Sequence, residues 1–425
     1  MTNEQTVPLA EGYMHTELGP LPDSWRVARI GDAYHFTTKP RGLRFADCEM
    51  IPFVPMEYIP IGKTHFDSFT PKTPGDLTSG TYFERGDILL SKITPSFENG
   101  KQGIIEVLPI PFGVATTEVI PIHEKPGISD KLFLFYYLLQ DDVRVALAGK
   151  MEGTTGRQRL SKATLESWQL PLPPLPEQRA IARTLGAVRE TVEARRRELA
   201  LERERKAALM QHLFTHGTRG ERRKQTEIGE VPESWQVVRL GQVADLIMGQ
   251  SPPGETYNTE GDGVPLINGP AEYGPEHPMP IQWTTRPTKV CEPGDILFCV
   301  RGATAGRMNV ADQQYCLGRG VAAIRGKHDR FDTIALRYLL HLKRSSLYNI
   351  AQGGGSTFAN INGHQMRDYI IPLPNRGDQR DIAAVLGACD TKIATVEREV
   401  DVTEELFRAM LEELMTGRLT ASGLI

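Results

Sequence analysis

Cysteine is scarce in this chain. Its five residues, Cys48, Cys291, Cys299, Cys316 and Cys389, are an odd number with no Cys-x-x-Cys spacing. That pattern offers neither a disulfide framework nor a zinc site, and Cys389, on a helical apolar stripe, reads as a small core residue. Long apolar runs are missing too: no stretch reaches the ~18 residues of a membrane span. Met1 to Pro20 lacks a basic segment followed by an apolar core, so the expected location is the cytoplasm. Nor is there a marked excess of one charge. A formal net charge of −4 argues against a basic coat, yet leaves room for a local basic face on an acidic body.

Catalytic signatures are also lacking. A DNA methyltransferase needs a polar residue, two prolines and an aromatic that stacks on the extruded base. The nearest match, Ser251-Pro-Pro-Gly254, ends in glycine and reads as a turn. No Gly-x4-Gly-Lys-Ser/Thr phosphate cradle occurs. Glu204-Arg-Lys206 and Asp390-Thr-Lys392 have the acid-x-Lys spacing of a metal-dependent nuclease, but both fall inside long helical patterns and read as surface and seam charge. A fused nuclease or methyltransferase is thereby disfavoured.

What is present is a repeat. Thr16 to Gly31 (Thr-Glu-Leu-Gly-Pro-Leu-Pro-Asp-Ser-Trp-Arg-Val-Ala-Arg-Ile-Gly) returns 210 residues later as Thr226 to Gly241, with nine of sixteen positions identical and no gap. The chain is therefore a tandem duplication. In each copy Pro-x-Ser-Trp predicts a turn feeding a short strand, with Trp25 and Trp235 as core anchors. Gly86-Asp-Ile-Leu-Leu90 matches Gly294-Asp-Ile-Leu-Phe298, a turn opening a buried strand. Leu134 to Leu139 matches Ala335 to Leu340 at helical spacing, pairing Tyr137 with Tyr338. Leu170-Pro-Leu-Pro173 matches Ile371-Pro-Leu-Pro374, an extended connector that blocks helix until the next element begins.

That next element organises the whole chain. Alternating steps of four and three pass through Ile181, Leu185, Val188, Val192, Arg195, Leu199, Glu202, Lys206, Leu209 and Leu213. Adding 201 gives Ile382, Leu386, Cys389, Ile393, Val396, Val400, Thr403, Phe407, Met410 and Leu414. The alternation predicts a coiled-coil seam, and a helix from Gln178 to Phe214 would be about 55 Å long. Residues 173–224 carry 13 Lys or Arg against seven Glu, whereas 374–419 carry six against ten Asp or Glu. Balances of +6 and −4 favour the two helices as partners for each other. Pro176 with Glu177, and Asn375 with Asp378, mark their starts; Gly217 and Gly417 mark their stops.

The resulting plan is globule, long helix, globule, long helix. A loose tail occupies 1–15, α/β globules fill 16–172 and 218–373, helical spacers run over 173–217 and 374–419, and a short tail ends the chain at 420–425. Each globule is about 150 residues, the size of one domain.

Two globules alternating with two helices, each introduced by Pro-Leu-Pro and then Glu-Gln-Arg-Ala-Ile-Ala (177–182) or Asp-Gln-Arg-Asp-Ile-Ala (378–383), resemble the specificity subunit of type I restriction–modification systems. The likeness covers residues 16–419 of both halves. It implies two target recognition domains, each reading one half of an asymmetric bipartite DNA site, and an antiparallel helical pair related by a pseudo-two-fold axis. That pair would fix the spacing and dock two modification (methyltransferase) subunits through seam residues Ile181, Leu185, Val192, Leu199, Ile382, Leu386, Val396, Val400 and Phe407. The resemblance further implies that the chain is not catalytic by itself, holds no metal or cofactor, and works with restriction/translocase and adenine-methylating subunits that carry S-adenosylmethionine, ATP and Mg. A DNA-binding regulator with this architecture but no modification partner is the rival reading.

Candidate DNA contacts lie on loops. Gly153 to Lys162 is rich in glycine and hydroxyls and is basic, offering Thr154, Thr155, Arg157, Gln158, Arg159 and Lys162; its twin offers Ser356, Thr357, Asn360 and Asn362 after Gly353-Gly-Gly355. Flexible backbone carrying Thr, Asn and Arg suits phosphate contact and base-edge reading. After each Gly-Asp-Ile-Leu strand come Lys92 to Lys101 and Arg301 to Arg307, loops with basic ends that the resemblance places on the DNA-facing side. The two halves differ most in these loops, as two readers of different bases would.

Overall fold

The computed structural model describes residues 11–154, 156–353 and 359–421. They form two compact units. One comprises residues up to Arg197 together with those from Glu397 onward; the other is Glu198–Val396. The unit boundaries therefore fall inside the two long helices, Leu175–His216 and Arg376–Met415, so each unit holds the start of one helix and the end of the other.

In the first unit, strands Tyr34–Phe36, Val119–Glu124, Ile88–Ser91, Gln102–Ile105 and His65–Phe66 lie side by side in that order. A second sheet takes Thr70–Lys72, Ile51–Val54, Phe112–Ala115 and Thr81–Glu84. Pairing is antiparallel except where Gln102–Ile105 meets His65–Phe66 and Phe112–Ala115 meets Ile51–Val54. Ile88, Leu89, Leu90 and Ser91 are all buried, as a strand covered on both faces requires. The second unit repeats the plan with Ala244–Met248, Val321–Gly326, Ile296–Cys299 and Met308–Val310 in its main sheet.

The Pro-Leu-Pro segments are more than connectors. Gln169–Leu172 pairs antiparallel with Arg26–Arg29, and Ile370–Leu373 pairs with Gln236–Arg239. A two-stranded ladder tolerates the prolines because each strand has a free edge. The strand after each tryptophan is thus laced to the strand before each long helix.

The helix starts are locked by buried polar side chains. Trp25 Nε1 donates to Glu177 Oε2 at 3.1 Å, and Trp235 Nε1 to Asp378 Oδ2 at 2.6 Å. Gln178 accepts from Asp130 N at 2.9 Å and donates to the Ile128 and Pro173 carbonyls at 3.1 and 2.8 Å. Gln379 does the same with Asp332 N, Arg330 O and Pro374 O at 2.8, 3.1 and 2.7 Å. Both glutamines are buried, and with all three groups satisfied they join helix to globule without an orphaned donor. Asn375 caps its helix through Asp378 N at 3.0 Å, and Gly217 and Gly417, each at φ +70°, end the helices where glycine predicted.

The seam is apolar where expected. Ile181, Leu185, Val192, Ile382, Leu386, Val396, Val400 and Phe407 are buried and Leu199 is half-buried. Inside the first unit, Arg189 stacks on Phe407 at 4.9 Å, Arg195 pairs with Glu399 at 3.1 Å and Arg196 with Glu404 at 2.6 Å, so numbers fall on one helix as they rise on the other. Inside the second, Glu198 pairs with Lys392 at 2.7 Å and Lys206 with Asp390. The pairing in each unit is antiparallel, and three of these four ion pairs set a cation of the first helix against an acid of the second, with Glu198–Lys392 reversed. Lys206 and Asp390 carry seam charge, as read from their spacing.

Three expectations need correction. Residues 13–15 are not tail: Tyr13–Thr16 pairs with Gly19–Pro22, and Tyr13 Oη donates to Gly417 O at 2.7 Å. At the other end, Ala421 is buried in the first unit's core. The tyrosine equivalent to Tyr338 is Tyr136, not Tyr137. Tyr338 lies against Gly387 and Tyr136 against Gly186, while Tyr137 turns away to donate to Gln169 O at 3.2 Å. A one-residue shift between the copies, also visible in helix caps Asp130 and Asp332, defeated an ungapped comparison.

Candidate nucleic-acid interface

The candidate residues gather because of how the main sheet is strung. Strands Tyr34–Phe36 and Ile88–Ser91 finish at one end of it, where Val119–Glu124 and Gln102–Ile105 begin. The turn Lys92–Lys101 therefore leaves from that end. Gly153–Arg159, expected as a loop, is a hairpin of Glu152–Thr154 and Arg157–Arg159. It docks against the same turn: Thr94 N donates to Gln158 O at 3.0 Å and Leu160 N to Lys92 O at 2.8 Å. Lys92 N in turn donates to Glu118 O at 3.0 Å. Two basic segments 60 residues apart in sequence are thus one surface.

The second unit reproduces this lacing. Gly302 N donates to Ala359 O, Ile361 N to Val300 O and Val300 N to Gly320 O, all at 2.9 Å. By these bonds Arg301 corresponds to Ile93 and Asn360 to Arg159, and the counterpart of Lys92 is Val300. Arg301 Nε donates to Asn360 Oδ1 at 3.1 Å. Thr155, Ser356 and Thr357 lie outside the described residues.

Their neighbours divide these candidates. Arg157 and Arg307 are exposed and meet no carboxylate among the described residues, and Thr154 is exposed beside the hairpin tip. Arg159 is spoken for: Nε and Nη2 each reach a Glu118 oxygen at 2.8 Å, a two-point contact that holds the carboxyl below the usual range. Gln158, Lys92 and Lys101 are half-buried. Lys162 opens the helix Lys162–Ser167, with Nζ 3.6 Å from Glu166 and 5.5 Å over the Phe36 ring. Asn362 is a helix cap, its side-chain oxygen accepting from His364 N and Gln365 N at 2.9 and 3.0 Å, as Ser161 caps the equivalent helix. That oxygen is committed to the backbone, which a sequence-level preference for Asn at DNA could not distinguish.

Sequence reasoning missed Arg319, exposed just before Val321–Gly326, whose backbone N–H donates to Ser251 Oγ at 3.3 Å. Its only signal was position, next to a strand recognisable after its pairing was known. Below both surfaces, Asp87 and Asp295 close the Gly-Asp-Ile-Leu turns by accepting from Glu84 N and Glu292 N at 2.8 and 2.9 Å. Asp87 also meets His123 Nδ1 at 2.8 Å and raises its pKa through that hydrogen bond, against burial; Asp295 instead meets Arg325 Nε at 2.5 Å. Among the described residues no group of three or more His, Cys, Asp or Glu could hold a metal ion, and no helix is long and apolar enough to cross a membrane.

A duplicated α/β unit braced by antiparallel helices, with laced loops at the same sheet end of each copy, defines a class of two-headed recognition scaffold. The family described as the type I restriction modification DNA specificity domain matches residues 22–203 and 232–404, and the chain belongs to that family. It is 30% identical to a Methanocaldococcus jannaschii protein provisionally named the type I restriction enzyme MjaX specificity subunit, over 96% of this chain and 97% of that one. The type I restriction enzyme EcoEI specificity subunit of Escherichia coli is 35% identical over 39% of this chain and 28% of its own length. A solved chain described under complex assembly and conformational transition of the type I R-M system superposes with a TM-score of 0.60 at 29% identity, covering 94% of this chain and 99% of its own. The S subunit from M. genitalium shares the fold, with a TM-score of 0.58 at 14% identity over 92% and 96% of the two chains.

Proposed function

We propose that this chain is the DNA-recognition subunit of a type I restriction–modification complex in the cytoplasm, without catalysis of its own. Each unit reads one half of an asymmetric bipartite site, and the helices set the spacer and dock modification subunits. Methyl transfer from S-adenosylmethionine, and ATP- and Mg-dependent steps, belong to partner subunits.

The observation that carries this reading is the repeated lacing of two loops at the same sheet end in both units, with Arg157 exposed in one and Arg307 in the other. The same frame with different side chains is what two readers of different sequences need. Docking is supported by Val402 and Leu406, which lie about one turn apart on the second long helix and are 65% and 50% exposed. Mapping methylated bases in DNA from cells carrying this chain and its modification subunit tests the proposal. A split, asymmetric site with a constant spacer is the expected result; methylation at an unbroken or unrelated set of sites would refute it.

A further inference from the structure

One more loop reaches the same end of the first unit's main sheet. Strand Tyr34–Phe36 finishes there, and Thr37 N donates to Pro121 O at 3.1 Å. From Ala33 to Ala46 the chain contains Lys39, Arg41 and Arg44 and no acid. Its shape is defined. Leu43 N donates to Pro40 O at 3.3 Å, and Gly42 sits at φ +93°, a value that suits the third position of a type II turn and puts exposed Arg41 at the tip.

An aromatic run ties the turn down. Lys39 Nζ lies 4.1 Å from the Phe45 ring, Phe45 stacks on Phe112 at 6.2 Å, and Phe112 lies 5.5 Å from Tyr82 in the second sheet. The three cations are exposed, and none meets a carboxylate among the described residues. Lys162, over Phe36, bridges the start of this loop to the segment that follows the Arg157 hairpin. The equivalent loop of the second unit leaves its strand in the same way, Gly249 N donating to Val321 O at 2.9 Å, yet Gly249 to Gly254 carries no charge. The two copies have kept the frame and diverged in charge.

We infer that the Lys39–Arg44 turn is a phosphate clamp, gripping the duplex backbone beside the half-site of the first unit without reading bases. This rests on the proposed function. Three exposed cations that meet no carboxylate among the described residues neutralise about three phosphates, and each phosphate contributes about 0.9 to the slope of log affinity against log salt.

The test compares the full-length chain with K39A/R41A/R44A and with the charge-keeping variant K39R/R41K/R44K. Each is titrated with a random-sequence duplex of about 30 base pairs between roughly 50 and 200 mM salt. The alanine variant should lose between about two and three from the slope, and the charge-keeping variant should retain the parent slope, since phosphates read charge. An unchanged slope in the alanine variant, or an equal loss in the charge-keeping one, overturns the clamp while the functional reading stands. A parent chain without salt-dependent binding overturns both.

Discussion

The indole N–H of Trp25 donates to Glu177, and the carboxylate has no other side-chain donor among the described residues. Its counterpart Asp378 is better provided: besides Trp235 it accepts from Thr218 Oγ1 and, at 2.9 Å, from Asn375 Nδ2. Glu177 reads in sequence as an acid favouring a helix N-terminus, but its structural role is to fasten a tryptophan from 152 residues earlier.

The difference between the copies is testable. Trp25→Phe keeps most of the buried ring and leaves Glu177 without its donor, at a cost of about 2 kcal/mol. Trp235→Phe removes one donor of several and should cost about 1 kcal/mol. Hydrogen exchange in urea, followed separately in each unit, measures both. Equal losses would mean that ring packing, not the carboxylate, sets the cost.

Gln178 gives a sharper test. Replacing it with leucine preserves volume but strands Asp130 N and the Ile128 and Pro173 carbonyls, so the first unit should lose roughly 3 kcal/mol. Gln178→Glu should cost more, because it keeps an acceptor, loses the donors to both carbonyls and adds a buried charge. Hydrogen exchange of the 131–137 helix reports the result; a glutamate variant as stable as the parent would mean the carbonyls find other donors.

These motifs show how far the sequence reaches. The seam from Ile181 to Phe407 was legible because burial on a helix imposes a period, and Trp25 and Trp235 because a repeated large aromatic has few uses other than packing. The meaning of Gln178 was not legible. Its three partners come from two other segments, and a polar residue in a first turn looks the same whether it is solvated or buried. Leu170-Pro-Leu-Pro173 read as an extended connector because each proline blocks helix; only the partner strand Arg26–Arg29 shows that it also forms a ladder. At the candidate interface, side-chain type pointed to the right loops but could not separate exposed Arg157 from Arg159, held by Glu118, or a contacting Asn from the cap Asn362. The Lys39–Arg44 turn went unseen, since it joins the surface only through strand order.

Stability should depend on pH differently in the two units. Asp87 raises the pKa of His123 in the folded state above its unfolded value of about 6.5. The pairing therefore contributes fully below about pH 6.5 and is lost as pH rises through the higher folded value. Asp295 is paired with Arg325, which stays charged across that window. Amides of Ile88–Ser91, corrected for intrinsic exchange, should open more easily at alkaline pH than near pH 6, while those of Ile296–Cys299 should not open more easily, since burial holds the second unit's His341 below its usual pKa and favours the fold as pH rises. His123→Arg should remove the dependence. The same pH trend in both units would exclude His123 as its source.

The hairpin separates two arginines that composition treats alike. Arg157 is exposed without a carboxylate partner, so Arg157→Ala should lower the salt slope of duplex binding by about one and leave the fold intact. Arg159 already spends its guanidinium on Glu118, which lies just before the strand Val119–Glu124. Arg159→Ala should therefore act through the hairpin, loosening exchange at Glu152–Thr154 and weakening binding with little change in slope. Glu118→Gln, which keeps the shape but removes the charge, should shift Arg159 toward solvent and steepen the salt dependence. If Arg159→Ala instead lowers the slope as much as Arg157→Ala with hairpin exchange unchanged, Arg159 leaves Glu118 for phosphate on binding, and the pair is a contact released by DNA, not a brace.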